Sequence, residues 1–213
     1  MLVGERMSHP VITILPSMPI NEALNLMKRE QIRRTPVVKD GQLVGIVSDK
    51  DLLNASPSQA TSLSVWELTY LISKIQVRDV MTKKVLTVSE DTPIEIAARI
   101  MVDNKIGGLP VVRGSEVVGI ITETDLFKIF LELMGAREMG IRVTALVPEK
   151  HGQLAELSRT ISVAGGDFIA FGVFAGESEL NRLVTFKTTG LDIEKVQTLI
   201  KPLVEELIDI REC

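Results

Sequence analysis

Residues 45–51 read Gly-Ile-Val-Ser-Asp-Lys-Asp, and residues 119–125, which lie 74 positions later, read Gly-Ile-Ile-Thr-Glu-Thr-Asp. In each copy a short apolar run predicts a buried strand that leads into a helix. Ser48 and Thr122 stand where a helix is capped. Asp51 and Asp125 follow three residues later, so hydroxyl and carboxylate are expected to face one opening. Two copies of the stretch predict two equivalent sites.

The repetition extends well beyond this stretch. Residues 7–52 align with residues 81–126 without a gap, and 16 of the 46 pairs are identical. Each copy predicts a strand, a helix, a hairpin of two strands and a closing helix. The first helix of the second copy has capping-box spacing at Thr92 and Glu95. The chain is therefore expected to contain the same βαββα unit twice.

The repeated unit resembles the CBS domain, named for cystathionine β-synthase. The resemblance rests on the Gly-aliphatic-aliphatic-Ser/Thr-x-x-Asp ending, on the aliphatic-or-Thr-Pro-Val-Val strand, and on an early threonine in each copy, Thr13 and Thr87. It implies two CBS repeats that pack as a pseudo-twofold pair with two clefts. The first repeat, with a linker helix, is placed at residues 1–78 and the second at residues 79–137.

The remaining sequence, residues 141–213, predicts the ferredoxin-like order βαββαβ. The strand-to-helix junction formed by His151, Gly152, Gln153 and Leu154 resembles the ACT domain. In that family a glycine at this turn lets the backbone close on a small ligand, often an amino acid. A CBS pair followed by an ACT domain resembles the AcuB-like proteins named for acetoin utilisation. The predicted fold class is α+β, with two βαββα CBS repeats and a ferredoxin-like ACT domain.

A connector separates the two repeats. Residues 56–62 are polar, and Ser64 and Glu67 have the spacing of a capping box that opens a linker helix. Trp66 offers a platform on which a base could stack. Because a helical apolar stripe lies beside it, packing or an oligomer contact is the favoured interpretation of Trp66.

The CBS resemblance implies nucleotide binding, and the duplicated motif has suitable chemistry. A vicinal ribose diol offers two donors that one carboxylate accepts, which suits Asp51 and Asp125. Phosphate takes hydroxyl and helix-start N–H donors, which suits Ser48 and Thr122. The expected ligand is an adenine nucleotide (AMP, ADP or ATP) or a related adenosyl compound. The plain alternative is that all four residues only cap helices, which contributes roughly 0.5–2 kcal/mol per cap.

The two predicted sites differ in charge. Arg33 and Arg34 occupy the positions at which the second repeat has Gly107 and Gly108. The arginines are predicted to neutralise phosphates, with an ordinary solvated face as the alternative, and the glycines are predicted to let backbone approach a base. Three lysines are weaker candidates for phosphate contacts, with a surface charge as the favoured interpretation, namely Lys50, Lys83 and Lys84.

Composition argues against several classes of function. The formal net charge of −4 provides no basic field for nucleic acid or for an anionic membrane surface. Nowhere do about 18 apolar residues run together, as a membrane-spanning helix would require. The single cysteine, Cys213, has no partner in the chain, which fits a reducing cytosol. We therefore expect a cytoplasmic protein.

The reactive side chains do not form a catalytic set in the sequence. The two histidines, His9 and His151, lack the neighbours of a triad and the spacing of a metal site. We expect a non-catalytic regulatory protein that binds a small-molecule ligand, forms a homodimer and acts on a regulated enzyme. The alternative is a structural or oligomerisation module that contacts a partner enzyme while its clefts stay empty.

Overall fold

The fold is taken from a computed structural model, in which residues 1–55 and 74–213 are described. The linker helix expected at Ser64, with Trp66, lies outside the described residues. The chain divides into two compact units, Met1–Leu126 and Phe127–Cys213. Among the described residues no helix combines the length and apolar character that crossing a membrane requires.

The first unit contains the two repeats, except that the last helix of the second repeat continues past Leu126. The first repeat has helix Ile20–Arg29, strands β1 (Arg34–Lys39) and β2 (Gln42–Ser48), and helix Asp49–Asn54. The second has helix Ile94–Asn104, strands β3 (Gly108–Arg113) and β4 (Glu116–Thr122), and helix Glu123–Leu133. A four-residue helix precedes each repeat, Val3–Arg6 and Val77–Val80. Both hairpins are antiparallel and carry a register shift at the same place, after Val37 and after Val111.

The first strand expected in each repeat is reduced to a single bridging residue. Ile14 forms a parallel bridge with Val37, and Val88 forms the same bridge with Val111. Ile14 donates to the Pro36 carbonyl and accepts from Val38 N–H, after which the chain turns towards the helix. The βαββα description is wrong in this detail, because only one residue of the extended piece reaches the hairpin.

The helix of the second repeat does not begin with a capping box. Its N-cap is Pro93, and no side chain accepts a hydrogen bond there. The Thr92 hydroxyl instead accepts the Ser89 N–H at 3.1 Å, inside the preceding turn. The predicted Thr92–Glu95 box is therefore wrong, because the local turn uses the threonine that the helix would have needed.

The segment before each repeat packs on the other repeat. Val3 is fully buried in the apolar cluster of the second repeat, where its N–H donates to the Thr92 carbonyl at 2.9 Å. Val77 is fully buried in the cluster of the first repeat and donates to the Met18 carbonyl at 2.9 Å. Each hydrophobic core in the first unit is thus built from both halves of the sequence.

This exchange explains the glycine that opens each motif. A Cβ at Gly45 would lie 2.5 Å from Met81 Sδ, and a Cβ at Gly119 would lie 2.3 Å from Met7 Sδ. Real Cβ atoms do not approach a sulfur so closely, so each glycine makes room for a methionine of the exchanged segment. The glycine and the methionine recur together in both repeats because they pack against each other.

The second unit is a four-stranded antiparallel sheet with two long helices. Its strands are β5 (Ile141–Pro148), β6 (Asp167–Ala175), β7 (Asn181–Thr189) and β8 (Glu206–Glu212), in the spatial order β6-β7-β5-β8. Helix Gln153–Val163 follows β5, and helix Ile193–Ile200, with a short 3-10 turn after it, follows β7. The predicted βαββαβ order for residues 141–213 is confirmed, whereas membership of the ACT family stays a prediction.

One apolar cluster stabilises the second unit. Phe186 on β7 is 1% exposed and is surrounded by aromatic and aliphatic side chains of the sheet and both helices. Its ring makes an edge contact with Phe168 at a centroid distance of 5.4 Å and stacks on Phe171 at 5.9 Å. Such pairs add to the burial of apolar area, so Phe186 is the central packing residue of this unit.

Candidate functional site

The first motif is a tightly bonded cap. Ser48 ends β2, and both its N–H and its hydroxyl donate to Asp51 Oδ2, at 2.8 and 2.7 Å. Asp51 N–H donates in return to Ser48 Oγ at 3.3 Å. Ser48 and Asp51 therefore cap this helix, whereas the alternative that they do nothing else stays a prediction. Both bonds use Oδ2, so Asp51 Oδ1 takes no part in this cap.

The second motif repeats the same contacts. Thr122 donates from its N–H and from its hydroxyl to Asp125 Oδ2, at 3.0 and 2.7 Å. Asp125 is only 6% exposed, whereas Asp51 is half-buried. The two motifs are alike in their hydrogen bonds but differ in how far the carboxylate is covered.

A cavity of about 450 Å³ opens beside the first motif. Ser48 and Asp51 of the first repeat line one part of it. The rest comes mainly from the second repeat, namely Thr82, the residues from Lys84 to Leu86 and those from Asn104 to Gly108. We call this space the Asp51 cavity. Its size is that of a small-molecule site, and its lining mixes apolar side chains with a few polar groups.

The sequence did not predict that residues of both repeats would line the same cavity. Thr82 pairs with Ile46 in an isolated bridge, with N–H to carbonyl distances of 2.9 and 3.0 Å, which holds the second repeat's leading segment against β2. The pairing follows from the exchanged segments. The recurrence of Met7 and Met81 together with the motif glycines is the sequence signal that could have indicated it.

Arg34 lies inside this arrangement. It begins β1, is half-buried, and lines the Asp51 cavity. A Cβ at Gly107 would lie 2.3 Å from Arg34 Nη2, and a Cβ at Gly108 would lie 2.9 Å from Arg34 Cδ. The two glycines therefore make room for the Arg34 side chain. Their predicted role, close approach of the backbone to a base, is a separate use that stays a prediction.

Arg33 faces the other motif. Its guanidinium donates to Thr124 Oγ1 at 2.9 Å, one residue before Asp125. Arg33 itself is exposed. The two consecutive arginines of the first repeat thus lie at different motifs, Arg34 beside the first and Arg33 beside the second.

Burial and neighbouring charges act on Arg34 in opposite directions. Burial is the largest effect and lowers the pKa of the Arg34 guanidinium, and the charge of Arg33 lowers it further. Carboxylates of both motifs raise that pKa, Glu123 most strongly and then Asp49 and Asp51. An arginine retains its proton at neutral pH even so, and Arg34 brings a positive charge into a partly dry site.

Thr13, Thr87 and Lys84 were also candidates for contacts with the ligand or its phosphate, and they differ in whether they line the Asp51 cavity. Thr13 and Thr87 are exposed and are not among the residues lining the Asp51 cavity. The fully buried hydroxyl in this region is that of Thr35, which donates to the Ile12 carbonyl. Lys84 is exposed, as a surface charge would be, and it also lies in the lining of the Asp51 cavity. The ligand roles of Thr13 and Thr87 stay predictions.

The junction in the second unit also opens on a cavity, of about 340 Å³. Gly152, Gln153 and Leu154 line it, whereas His151 is exposed and is not in the lining. Gly152 has a positive φ of 83°, which explains the glycine at this turn. Gln153 is buried and donates from Nε2 to the Leu203 carbonyl at 2.6 Å, so its amide braces the 3-10 turn.

Metal chemistry finds no support among the residues that the structure describes. Within residues 1–55 and 74–213, no three His, Cys, Asp or Glu side chains come together in a group that could hold a metal ion. The polar groups of the Asp51 cavity are suited to hydrogen-bonding and to neutralising anionic groups.

Comparison with known protein families identifies the first unit. The CBS domain model matches this chain twice, at residues 3–58 and at residues 77–132. The chain belongs to the CBS domain family. The tandem CBS pair expected from the sequence is thereby confirmed, and the match ends before the strands of the second unit.

One similar protein is longer than this chain. The uncharacterized protein MJ1225 of Methanocaldococcus jannaschii is 31% identical over 137 residues, which are 61% of this chain and 47% of that protein. The chain thus spans about half the length of this relative.

Two solved structures are similar over the CBS pair. The CBS domain pair of protein MJ0100, crystallised with 5′-methylthioadenosine and S-adenosyl-L-methionine, is 30% identical, with a TM-score of 0.52 over 65% of this chain and 98% of that one. A candidate acetoin utilization protein (AcuB) from Vibrio cholerae is 32% identical, with a TM-score of 0.53 over 64% of this chain and 95% of that one.

Proposed function

We propose that this protein is a non-catalytic, ligand-sensing regulator whose CBS pair binds an adenine nucleotide or a related adenosyl compound. The observation that carries the proposal is the Asp51 cavity, where a hydroxyl, a carboxylate and cationic side chains surround an apolar-lined space. The adenosyl ligands in the related CBS pair of protein MJ0100 support it. In this proposal AMP, ADP and ATP are all candidate ligands.

The site residues have separate roles in the proposal. Asp51 accepts hydrogen bonds from the two ribose hydroxyls through the carboxylate oxygen that the cap does not use. Ser48 and Arg34 contact ribose or phosphate, and backbone near Gly107 and Gly108 contacts the base. A second site uses Thr122, Asp125 and Arg33, with Thr13 and Thr87 as outlying contacts of the two sites.

A thermal-shift panel tests binding. AMP, ADP, ATP, NADH and S-adenosylmethionine are each added to the full chain at millimolar concentration. A ligand present at 100 times its dissociation constant adds roughly 2.7 kcal/mol to the free energy of unfolding. Each kcal/mol raises Tm by about 2–4 °C for a chain of this size. We expect at least one compound to raise Tm by several degrees, and a panel without any shift would contradict nucleotide binding.

The alternative function is a structural or oligomerisation module with empty clefts that contacts a partner enzyme. One observation favours it. Asp51 and Asp125 both bond the capping residue through Oδ2, which gives each carboxylate a structural task without any ligand. Under this alternative none of the compounds in the panel raises Tm. The oligomeric state, measured by light scattering, then changes with substitutions on the protein surface and not with nucleotide.

The second unit is proposed to be an ACT domain that binds a small metabolite or joins two subunits. The βαββαβ order and the cavity beside Gly152 support this. An amino-acid panel is expected to give a weaker thermal shift than the nucleotides, or none. If one amino acid does respond, Gly152→Val is expected to abolish that response, because a branched side chain is strained at a φ of 83° and would narrow the loop.

The remaining parts of the proposal concern organisation and output. The domain limits are residues 1–78, 79–137 and 141–213, and the protein is a cytoplasmic homodimer. Helix Glu123–Leu133 starts at the second motif and continues past the limit of the first unit, which offers a path for a ligand-dependent signal. The output is a changed contact with a regulated enzyme, and acetoin utilisation is the candidate pathway, supported by the similarity to the Vibrio cholerae protein.

A further inference from the structure

The Asp51 cavity has an unbalanced charge. Its lining includes three cationic side chains, Arg34, Lys84 and Lys105, and one acidic side chain, Asp51. The carboxylates of Glu123 and Asp49 also act on Arg34 but are not in the lining. The protein as a whole is acidic, with a formal net charge of −4, so the local sign is opposite to that of the molecule. A partly enclosed space with low-dielectric walls strengthens such a field. The cavity therefore favours an anionic occupant.

The three cations differ in their surroundings, because Arg34 is half-buried whereas Lys84 and Lys105 are exposed. Arg34 rests against Gly107 and Gly108, where a Cβ would lie within 3 Å of its side chain. Lys105 ends helix Ile94–Asn104 in a left-handed conformation, with a φ of 53°. Lysine is an uncommon choice for that backbone, which glycine or asparagine would occupy with less strain.

The charge is not a general requirement of the repeated fold. At the offset of 74 residues, Arg34, Lys84 and Lys105 correspond to positions without charge; these are Gly108, Pro10 and Gln31. Both repeats nevertheless build the same hairpin and the same cap. The three cations are therefore a property of one site, and the fold of the repeat does not require them.

We propose, on the basis of the function proposed above, that the Asp51 cavity selects adenosine nucleotides with a 5′-phosphate chain over uncharged or cationic adenosyl compounds. Lys84, Lys105 and Arg34 bind the phosphate oxygens, while Asp51 binds the ribose. 5′-Methylthioadenosine carries no phosphate, and S-adenosylmethionine carries a net positive charge, so both forgo these contacts. The site thus differs in ligand class from a CBS pair that holds those two compounds.

Isothermal titration of the full chain with ATP, AMP and 5′-methylthioadenosine tests this selectivity. Charge-assisted contacts to phosphate make ATP bind at least tenfold more tightly than 5′-methylthioadenosine at low salt. Raising the ionic strength to about 0.5 M weakens ATP binding, because salt screens exposed charges, and leaves 5′-methylthioadenosine binding unchanged.

Lysine variants locate the effect. Lys84→Ala is expected to weaken ATP binding roughly tenfold and to leave 5′-methylthioadenosine binding unchanged. Lys105→Asn is expected to do the same, since asparagine tolerates the left-handed backbone. Lys83→Ala is the matched control. Lys83 is exposed, as Lys84 is, but it is not in the cavity lining. Its replacement removes the same charge one residue away, so both affinities are expected to stay at the wild-type value.

The outcomes separate this inference from the proposed function. Equal affinity for ATP and 5′-methylthioadenosine, or ATP binding that Lys84→Ala and Lys105→Asn leave intact, would overturn the phosphate selectivity while adenosyl binding stands. Absence of binding by all three compounds would overturn both. Tight ATP binding that is lost in the two cavity variants and kept in Lys83→Ala supports the inference.

Discussion

Asp51→Ala is expected to weaken adenine-nucleotide binding to the Asp51 cavity by at least about 100-fold. Two ribose hydroxyls lose their shared carboxylate acceptor, and each hydrogen bond to a charged group contributes about 1.5–3 kcal/mol. Isothermal titration, which reports both affinity and stoichiometry, measures the loss. With both sites occupied in the wild type, Asp51→Ala and Asp125→Ala are each expected to remove one binding event.

Two controls separate lost binding from lost structure. Asp125→Ala removes the same cap contacts from the second motif, at a cost of about 0.5–2 kcal/mol in stability, and serves as the matched variant for Asp51→Ala. Asp51→Asn keeps an oxygen that accepts the Ser48 N–H and removes only the charge. Unchanged stoichiometry in both alanine variants would contradict the roles assigned to the two carboxylates.

Phe186→Ala is expected to lower the free energy of unfolding of the second unit by about 3–5 kcal/mol. The side chain is 1% exposed, and its removal also ends the aromatic contacts with Phe168 and Phe171. Native-state hydrogen exchange is the appropriate measurement, because it resolves the amides of β5 to β8 from those of the first unit.

Phe174→Ala is the matched control for this prediction. Phe174 lies on β6 of the same sheet and is 45% exposed, so its truncation is expected to cost less than about 1 kcal/mol. Amides in the two CBS repeats are expected to keep their protection in both variants. Equal loss in the two phenylalanine variants would show that the apolar cluster around Phe186 is not the core of the second unit.

The features predicted correctly from the sequence are local or repeated. The hairpins of the CBS repeats are visible as apolar runs on either side of a turn, and the turn at Asp40-Gly41 has positive φ at both residues. The helix and strand order of residues 141–213 follows from periodicity and from turn glycines in the same way. Such signals depend on neighbours within a few residues, so a single sequence contains them.

The features that were missed depend on contacts between distant segments. The exchange of Val3 and Val77 between the two cores joins residues that no local pattern relates. Lys84 and Lys105 line the Asp51 cavity only because that exchange brings the second repeat against β2. A lysine on an exposed face and a lysine beside a cavity have the same appearance in a sequence.

Residues with two possible uses were the harder ones to assign from the sequence. Thr92 had the spacing of a helix cap, but the turn before the helix uses its hydroxyl. Gly107 and Gly108 were predicted to let a base approach, which stays a prediction, and the structure places the Arg34 side chain against them. In each case the residue type indicated the kind of contact, but the sequence did not identify the contacting group, because packing determines which group lies nearby.

A crystal structure of the protein grown with AMP is the most direct measurement of the central claim, that the Asp51 carboxylate binds sugar hydroxyls as well as capping its helix. We expect density for the nucleotide in the Asp51 cavity, with the ribose hydroxyl oxygens about 2.5–2.8 Å from the carboxylate. Density for solvent alone, beside both Asp51 and Asp125, would contradict the account.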